Sequence, residues 1–543
     1  MATTLFFSFL GSLVICMALI PPLIASAGRL HILDLPGGRR MHSGAVAKVG
    51  GIALAIGTFI GVLMWEPKDE VVVACLLGGL AILIFGVWDD RTGLSYQAKF
   101  AGQAMAVLIV MLIGGVQITN LPLIPEEWVS PWFSFPLTFL ILLAVTNAVN
   151  LADGLDGLAG GLSLISFAGF AYLALQTDDS IILLMVVSVL GGLLGFLRFN
   201  TYPARIFMGD AGSQFLGFYL GVTGVVLIDQ AHGPYSPIVA LFVWGLPLLD
   251  TLAVMAQRWL EGRSLFIGDR NHLHHKLLNL GLSHRDAVIM IYAIQTTMVA
   301  LGYALRWQSD LILIAVYTAV AVSVLALFFQ PARGDGDLVT RPERQPATQL
   351  SSWLLHHPTL AWLPVQILAV AVSGFLLISV GHPRAIPFDA GVIATVLFAI
   401  LLIGMVLQLQ WLPWLVRTGL YFGCTFILYA VEVGTPSASS SWLHPLNLFL
   451  GGVAVLVIVV MRLNTVRQFQ TTPLDSLMVL LGLVLPFLPE MHVGDVNLSL
   501  LTARLVVLLF SFELLLQAYS DHVRSAGVLT MCLLGGIGVR ALW

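Results

Sequence analysis

Apolar runs of about 18 residues or more recur along the whole chain, and this narrows the fold more than any other feature. "SFPLTFLILLAVT" (134–146) is typical: thirteen residues without a charge and without strict alternation. In lipid, unpaired backbone N–H and C=O groups cost several kcal/mol each, so only helices and closed barrels cross a bilayer. A barrel wall alternates apolar and polar residues in segments of about ten, and these runs do not. The chain is 58% hydrophobic and 10% charged, against about 25% charged in soluble chains. The fold class is therefore all-α and polytopic.

Eleven spans are predicted in the first 330 residues, near 5–25, 50–65, 71–88, 98–118, 133–150, 157–176, 181–198, 211–228, 236–257, 286–304 and 311–329. Next comes "QPARGDGDLVTRPERQPATQLSS", rich in Pro, Gly and charge, which reads as a linker. Seven further spans follow, near 358–380, 389–409, 414–431, 446–462, 474–489, 499–518 and 526–542. The domain reading is a membrane core over 1–330, a linker over 331–357 and a C-terminal transmembrane module over 358–543.

Lysine and arginine positions orient the chain. No basic residue precedes the first apolar core, whereas Arg29, Arg39, Arg40 and Lys48 follow it. A cleaved signal peptide carries its charge first, so an uncleaved helix with an external N-terminus is expected. With that start, the internal side of the first eleven spans holds thirteen basic residues, and the linker adds Arg333, Arg341 and Arg344. The external side holds only Lys68 and Arg306, a strong positive-inside bias. The net charge of −4 and the lack of a basic block give no sign of nucleic-acid binding. Four cysteines stand singly in apolar runs, which suggests buried thiols rather than disulfides.

The polar clusters "GRRMHSGAVAKVGG" (38–51), "WDDRTGLSYQAK" (88–99), "NAVNLADGLDG" (147–157), "RFNTYPARIFMGDAGS" (198–213) and "GDRNHLHHK" (268–276) fall on five consecutive internal loops. The external loops hold acids such as Asp178–Asp179 without His, Gly or Asn arranged around them. Asp153, Asp156 and Asp210 each precede an apolar run, and taken singly each reads as a helix N-cap. Capping does not account for the adjacent acids Asp89 and Asp90 at the end of "LAILIFGVW", because neighbouring carboxylates repel unless a cation or shared proton compensates. Five acids on one face with few bases suggest a divalent cation, Mg²⁺ or Mn²⁺, in oxygen ligation. Gly209 and Gly212 around Asp210 suit a helix start that binds anions. The "HLHH" imidazoles at 272, 274 and 275 do not share one helix face, so a phosphate or sugar clamp with Arg270 and Lys276 is favoured over zinc. The chemistry expected is metal-assisted phosphoryl transfer on a phosphorylated substrate at the membrane edge.

"DDRTGL", "NAVNLADGLDGLAGG", "FMGDAGSQFLG" and "DRNHLHHKL", in this order on one face, closely resemble the motifs of the polyprenyl-phosphate N-acetylhexosamine-1-phosphate transferase superfamily, a glycosyltransferase 4-like membrane family. The resemblance covers about residues 1–330, and the "HLHH" form is similar to the branch that uses UDP-N-acetylglucosamine. It implies transfer of N-acetylhexosamine 1-phosphate from a UDP-sugar to undecaprenyl phosphate, releasing UMP, at the cytoplasmic face of a bacterial inner membrane. A homo-oligomer is compatible with it. It further implies Asp89 and Asp90 as the acidic pair, with Asp89 deprotonating the lipid phosphate, and Asp210, with Asp90, as Mg²⁺ ligands. Asn147, Asn150, Asp153 and Asn200 would surround the nucleotide and phosphates, and Leu155, Asp156 and Phe207 would form the uridine pocket. Lys99, Arg40, His42 and Arg270 would bind phosphate, with His272, His274 and His275 near the diphosphate or sugar.

The first loop departs from the family pattern, with Arg40 where lysine is usual and Ala47 where proline is expected. The alternatives are a muropeptide translocase reaction and, in another class, a transporter. Asp250 within the ninth span is the best residue for the transporter, although paired broken helices are not evident. In the C-terminal module the ionisable residues fall mostly at span ends and read as snorkelling. Arg504 and Glu513 sit inside one span and require partners.

Overall fold

The computed structural model describes residues 1–34, 45–65, 69–177, 179–227, 235–263, 271–328, 358–381, 383, 386–434, 443–462, 492–493, 496–519 and 522–542. Twelve helices among them are long and apolar enough to cross a bilayer, and four shorter apolar helices accompany them. The protein is an all-α, multi-pass membrane protein. Its contacts separate two compact units, one essentially Thr3–Gly336 and the other Asp337–Thr471 with Asp475–Trp543.

The first unit runs α1 Ala2–Leu30, α2 Gly50–Leu63, α3 Glu70–Thr92, α4 Tyr96–Leu112, α5 Pro131–Ala152 and α6 Leu158–Gln176. It continues with α7 Ser180–Asn200, α8 Gly209–Val225, α9 Ile238–Leu260, the short α10 Leu273–Asn279, α11 His284–Ala304 and α12 Asp310–Phe328. Each of the eleven predicted spans corresponds to one of these helices, and α10 is the additional one. Asp69 and Asp179, on loops read as external, cap their own helices by accepting backbone N–H groups at Val71 and Val72 and at Ile181 and Ile182. Asp178 lies outside the described residues.

α8 is the axis of this unit. Every residue from Ala211 to Val225 is buried, and α8 packs mainly against α5 and α3, then α2. Small residues allow that enclosure. A side chain at Gly51 would strike the backbone of Gly212, one at Gly86 would strike Ala211, and one at Gly217 would strike the backbone of Thr146. With so little side chain between them, the backbones meet directly, the usual helix packing in membranes.

α9 is not continuous. Gly245 has φ 47 and ψ −129, Pro247 follows, and the helix axis breaks there. Gln295 of α11 closes the gap. Its Oε1 accepts the Leu246 N–H at 2.8 Å, and its Nε2 donates to Val243 O at 3.0 Å and to Ser166 Oγ at 2.9 Å. A break in lipid survives only where protein re-pairs the freed backbone groups, and one side chain does so here. Among the described residues this is a single broken helix, without the second one that a transporter's repeated half-helices require.

A two-stranded ribbon ties the first polar loop to the fourth. β1 Leu33–Asp34 pairs antiparallel with β2 Val46–Ala47, and Ala47 bridges to Ile206. Phe207 N–H donates to Ala47 O at 2.8 Å, and Gly50 N–H donates to Phe207 O at 3.0 Å.

The second unit contains α13 Pro358–Val380, α14 Phe388–Val406, α15 Leu412–Gly434, α16 Leu443–Arg462, α17 Leu498–Ala518 and α18 Val523–Leu542. The span expected at 474–489 lies outside the described residues. α14 packs mainly on α18, and α15 packs on α14, α17 and α18. Arg504 pairs with Glu432 and also donates to Asn447 Oδ1 at 3.0 Å. Glu513 pairs with Arg417 at 3.3 Å and accepts from Tyr421 OH at 3.3 Å. Arg504 and Glu513 thus have the partners that their place inside a span requires, whereas Arg417 and Glu432, near span ends in the sequence, are paired rather than snorkelling. They cross-link α15 to α17 as two neutral pairs, since opposite charge is what makes burial tolerable in a membrane.

Gln295→Leu keeps the volume of the α11 side chain and leaves the Leu246 N–H unpaired at the break. Thermal or denaturant unfolding in detergent should show a loss of about 1–3 kcal/mol, and unchanged stability would mean that the break is held by other contacts.

Candidate active site

Asp89 and Asp90 complete the last turn of α3, and successive helix residues point about 100° apart, so the two carboxylates diverge. Asp89 is buried. Its Oδ1 accepts the Leu94 N–H at 2.6 Å and its Oδ2 meets Lys99 Nζ at 2.5 Å. Asp90 reaches the start of α8, where its two oxygens accept the backbone N–H groups of Asp210 at 3.0 Å and Ala211 at 3.1 Å. The acid that local capping could not explain is thus a cap after all, supplied by a different helix 120 residues away. It also faces the positive end of the α8 dipole. Gly209 makes the approach feasible, because its φ is 71 and an added Cβ would collide with the Asp90 carboxylate.

The three acids read singly as N-caps cap no helix of their own. Asp210 projects from the first turn of α8 to Lys99 Nζ at 3.3 Å, and its Oδ1 accepts from Asn150 Nδ2 at 2.7 Å. Asn150 also donates to Ser213 Oγ at 2.8 Å, and Asn147 lies one turn earlier on α5, partly exposed. Asp156 accepts the Ala204 N–H at 2.9 Å from the segment between α7 and α8. The N-cap of α6 is Gly157, with no side-chain cap. Asp153 ends α5, and burial pushes its carboxyl up to about 7, with Asp210, Asp90 and Asp156 adding repulsion and Lys48 opposing it.

Asn200 is buried, and both ends of its amide bind backbone: Oδ1 accepts the Gly157 N–H at 3.0 Å and Nδ2 donates to Ile206 O at 2.9 Å. The structure therefore gives it a clasp between two loops. Leu155 is buried, while Asp156 and Phe207 are partly buried. Tyr292 OH donates to Gly157 O at 2.6 Å, and His284 stacks on Tyr202 with ring centres 4.5 Å apart. Neither contact carries a sequence signal, because both join residues distant in the chain.

The histidines divide in role. His272 is buried with its Nδ1 2.9 Å from Asp250 Oδ2, and the Leu273 N–H donates to Asp250 Oδ1 at 3.0 Å. Asp250, the candidate for ion transport, is therefore the partner of the histidine segment. His274 is buried against Gly154, where an added Cβ would strike its ring. Burial pulls its pKa down to about 3, helped by His275, His272 and His284, and it stays neutral. His275 is partly exposed, its ring centre 4.2 Å from that of His274. Arg40, His42 and Arg270 lie outside the described residues.

The second to fifth polar loops thus meet through side-chain contacts, and the first joins them through the Ala47–Phe207 backbone hydrogen bond and the charge of Lys48. Asp89, Asp90, Asp153 and Asp210 face two lysines. Among the described residues no three His, Cys, Asp or Glu side chains are grouped so that they could hold a metal ion by themselves. The excess of buried carboxylate over lysine fits an open divalent-cation site, of the kind completed by water and phosphate oxygens.

Residues 72–228 match glycosyl transferase family 4. Over 289 residues the chain is 34% identical to the probable undecaprenyl-phosphate N-acetylglucosaminyl 1-phosphate transferase of Bacillus subtilis (strain 168), covering 53% of this chain and 81% of that protein. It is 31% identical over 288 residues to the undecaprenyl-phosphate alpha-N-acetylglucosaminyl 1-phosphate transferase of Escherichia coli (strain K12), covering 51% and 77%. It is 33% identical over 311 residues to the decaprenyl-phosphate N-acetylglucosaminephosphotransferase of Mycobacterium leprae (strain TN), again covering 51% and 77%.

An Asp153 carboxyl raised to about 7 binds its proton more tightly folded than unfolded, so its stabilising contribution is present at low pH and is lost as pH rises through about 7. Asp153→Asn should therefore unfold at a higher temperature than wild type at pH 8 without divalent metal, and the gain should vanish near pH 4. A gain independent of pH would remove Asp153 from the repelling cluster.

Proposed function

The chain belongs to glycosyl transferase family 4, the polyprenyl-phosphate sugar-1-phosphate transferases, and from that premise we infer its reaction: transfer of N-acetylglucosamine 1-phosphate from a UDP-sugar to undecaprenyl phosphate, releasing UMP. The observation that carries this reading is the chain of contacts that runs from Asp89 through Lys99 and Asp210 to Asn150. An oxygen of the lipid phosphate attacks the β-phosphorus of the sugar nucleotide. The bond from that phosphorus to the bridging oxygen breaks, and its electron pair leaves on UMP. The product begins a lipid-linked envelope glycan.

Each side chain has a task that its geometry suits. Asp89, held by Lys99 and the Leu94 N–H, accepts the proton of the lipid phosphate. Lys99 lies between Asp89 and Asp210 and supplies positive charge where phosphate oxygens gather. Asn150 orients Asp210 and Ser213. Asp90 holds the α8 N-terminus, whose N–H groups and dipole favour an anion nearby. The partly buried Phe207 and Asp156 form the uridine side.

Asp210 would hold Mg²⁺, with Mn²⁺ as the substitute, and Asp90 and Asp153 stand nearby. When bound, the cation neutralises charge on the diphosphate. The positive-inside distribution of Lys and Arg supports a site on the cytoplasmic face of the bacterial inner membrane.

Purified protein incubated with undecaprenyl phosphate, Mg²⁺ and a panel of UDP-sugars should yield a lipid whose mass has increased by N-acetylhexosamine phosphate, together with UMP. Formation of neither product would reject the reading. Asp210→Asn should lower kcat by about 100-fold or more while remaining folded, and near-normal turnover would remove Asp210 from the site. Chelation with EDTA should stop turnover and added Mg²⁺ restore it; activity that survives exhaustive chelation would defeat the metal assignment.

A further inference from the structure

His272 is held by a residue outside every motif that identifies the family and outside the matched segment 72–228. Asp250 stands five residues after the break of α9 at Gly245. It is 7% exposed and His272 is 5% exposed. One carboxylate oxygen receives the ring at Nδ1 and the other receives the N–H of the next residue, Leu273. Side chain and backbone of the same turn are therefore fixed by one group, and the ring cannot turn without breaking a buried bond.

Chemistry then decides the tautomer. A carboxylate oxygen that accepts from the ring calls for a proton on Nδ1. Nε2 is the ring atom left for a substrate. The parallel His274 ring, 5.9 Å away, packs against Gly154 of the loop that carries Asp153 and Asp156.

We propose that Asp250 is a positioning residue of the transfer reaction: it locks His272 with Nδ1 protonated, so that Nε2 serves the phosphate of the departing nucleotide. This rests on the transferase reading above. As the bond between the β-phosphorus and the bridging oxygen breaks, its electron pair goes to UMP. Nε2, which takes a proton from water before the transfer, gives it to the UMP phosphate, leaving a neutral imidazole with its Nδ1–H still on Asp250. Protons and charge balance with water as the proton source.

Asp250→Asn isolates this role. The asparagine oxygen must still accept the Leu273 N–H, because that donor is fixed, so the amide nitrogen turns to His272 Nδ1. Nδ1 then becomes an acceptor, and the ring is forced to the Nε2–H tautomer, which would become an imidazolate on giving up its proton. A tautomer inverted in this way is costly in general base and acid chemistry. The helix cap is retained and the proton donor is lost.

The experiment combines two readouts on the full chain in detergent. With ¹⁵N-histidine labelling, the His272 signal, assigned by its disappearance in His272→Gln, should show protonated Nδ1 in wild type and protonated Nε2 in Asp250→Asn. With UDP-N-acetylglucosamine and undecaprenyl phosphate, Asp250→Asn should lower kcat about 100-fold, with KM for the UDP-sugar changed less than about threefold. The double variant Asp250→Asn/His272→Gln should be no slower than His272→Gln alone. A merely structural cap predicts wild-type kcat for Asp250→Asn, or losses that multiply in the double variant, and either result overturns the proposal. So does an Nε2–H tautomer in wild type, which can be read even if Asp250→Asn does not fold. If wild type transfers no sugar phosphate, the transferase reading fails, while the tautomer measurement still stands or falls separately.

Discussion

The grip of the Asp90 carboxylate on the first N–H groups of α8 is the interaction from which the site is built. α8 is buried from Ala211 onward, and the free N–H groups of its first turn need an acceptor. Asp90 supplies it from the end of α3. In doing so it brings the two-aspartate turn against Gly209 and Asp210, with Lys99 bridging Asp89 and Asp210. A glycine at 209 is required twice, by its backbone conformation and by the closeness of the carboxylate. The anchoring of a buried helix and the gathering of charge for phosphate chemistry are the same contact.

Around that anchor, most of the remaining polar side chains hold loops to one another. Asn200 joins Gly157 to Ile206, Asp156 joins its loop to Ala204, and Tyr292 holds Gly157 from α11. Preorganisation of this kind lets an electrostatic site work without rearranging during the reaction. The neutral His274, wedged against Gly154, adds bulk to the histidine turn without adding charge. The acids facing the opposite side in the sequence reading, Asp69 and Asp179, cap their own helices. Among the described residues, acids on the two faces thus differ in what they bond to, and carboxylates that repel gather on one face.

The second unit solves a different problem. Its buried charges, Arg417 with Glu513 and Arg504 with Glu432, join α15 to α17 as two neutral pairs. In a membrane the hydrophobic effect does not distinguish one apolar helix face from another, so polar pairs of this sort specify which helices meet and in what register. The sequence of the second unit does not copy the polar motifs of the first.

The amino-acid sequence by itself determined the helical class, the positions of the spans, the order of the polar loops and the identity of most acids. These follow from local quantities: run length, the chemistry of adjacent residues and the placement of lysine and arginine. The partners were decided only by tertiary structure. Asp90 looked like half of a repelling pair until α8 was set against it, and Asp153, Asp156 and Asp210 looked like caps until the loops converged. Asp250 looked like a lone intramembrane acid until the histidine turn folded onto it. The break in α9 has local marks in Gly245 and Pro247, but Gln295, which repairs it, lies 50 residues beyond Gly245 and could not be read from them. Hydropathy says how deep a residue sits, whereas the choice of a hydrogen-bond partner depends on which helices cross and at what height. That information is shared among residues far apart in the chain and is written in no single stretch of it.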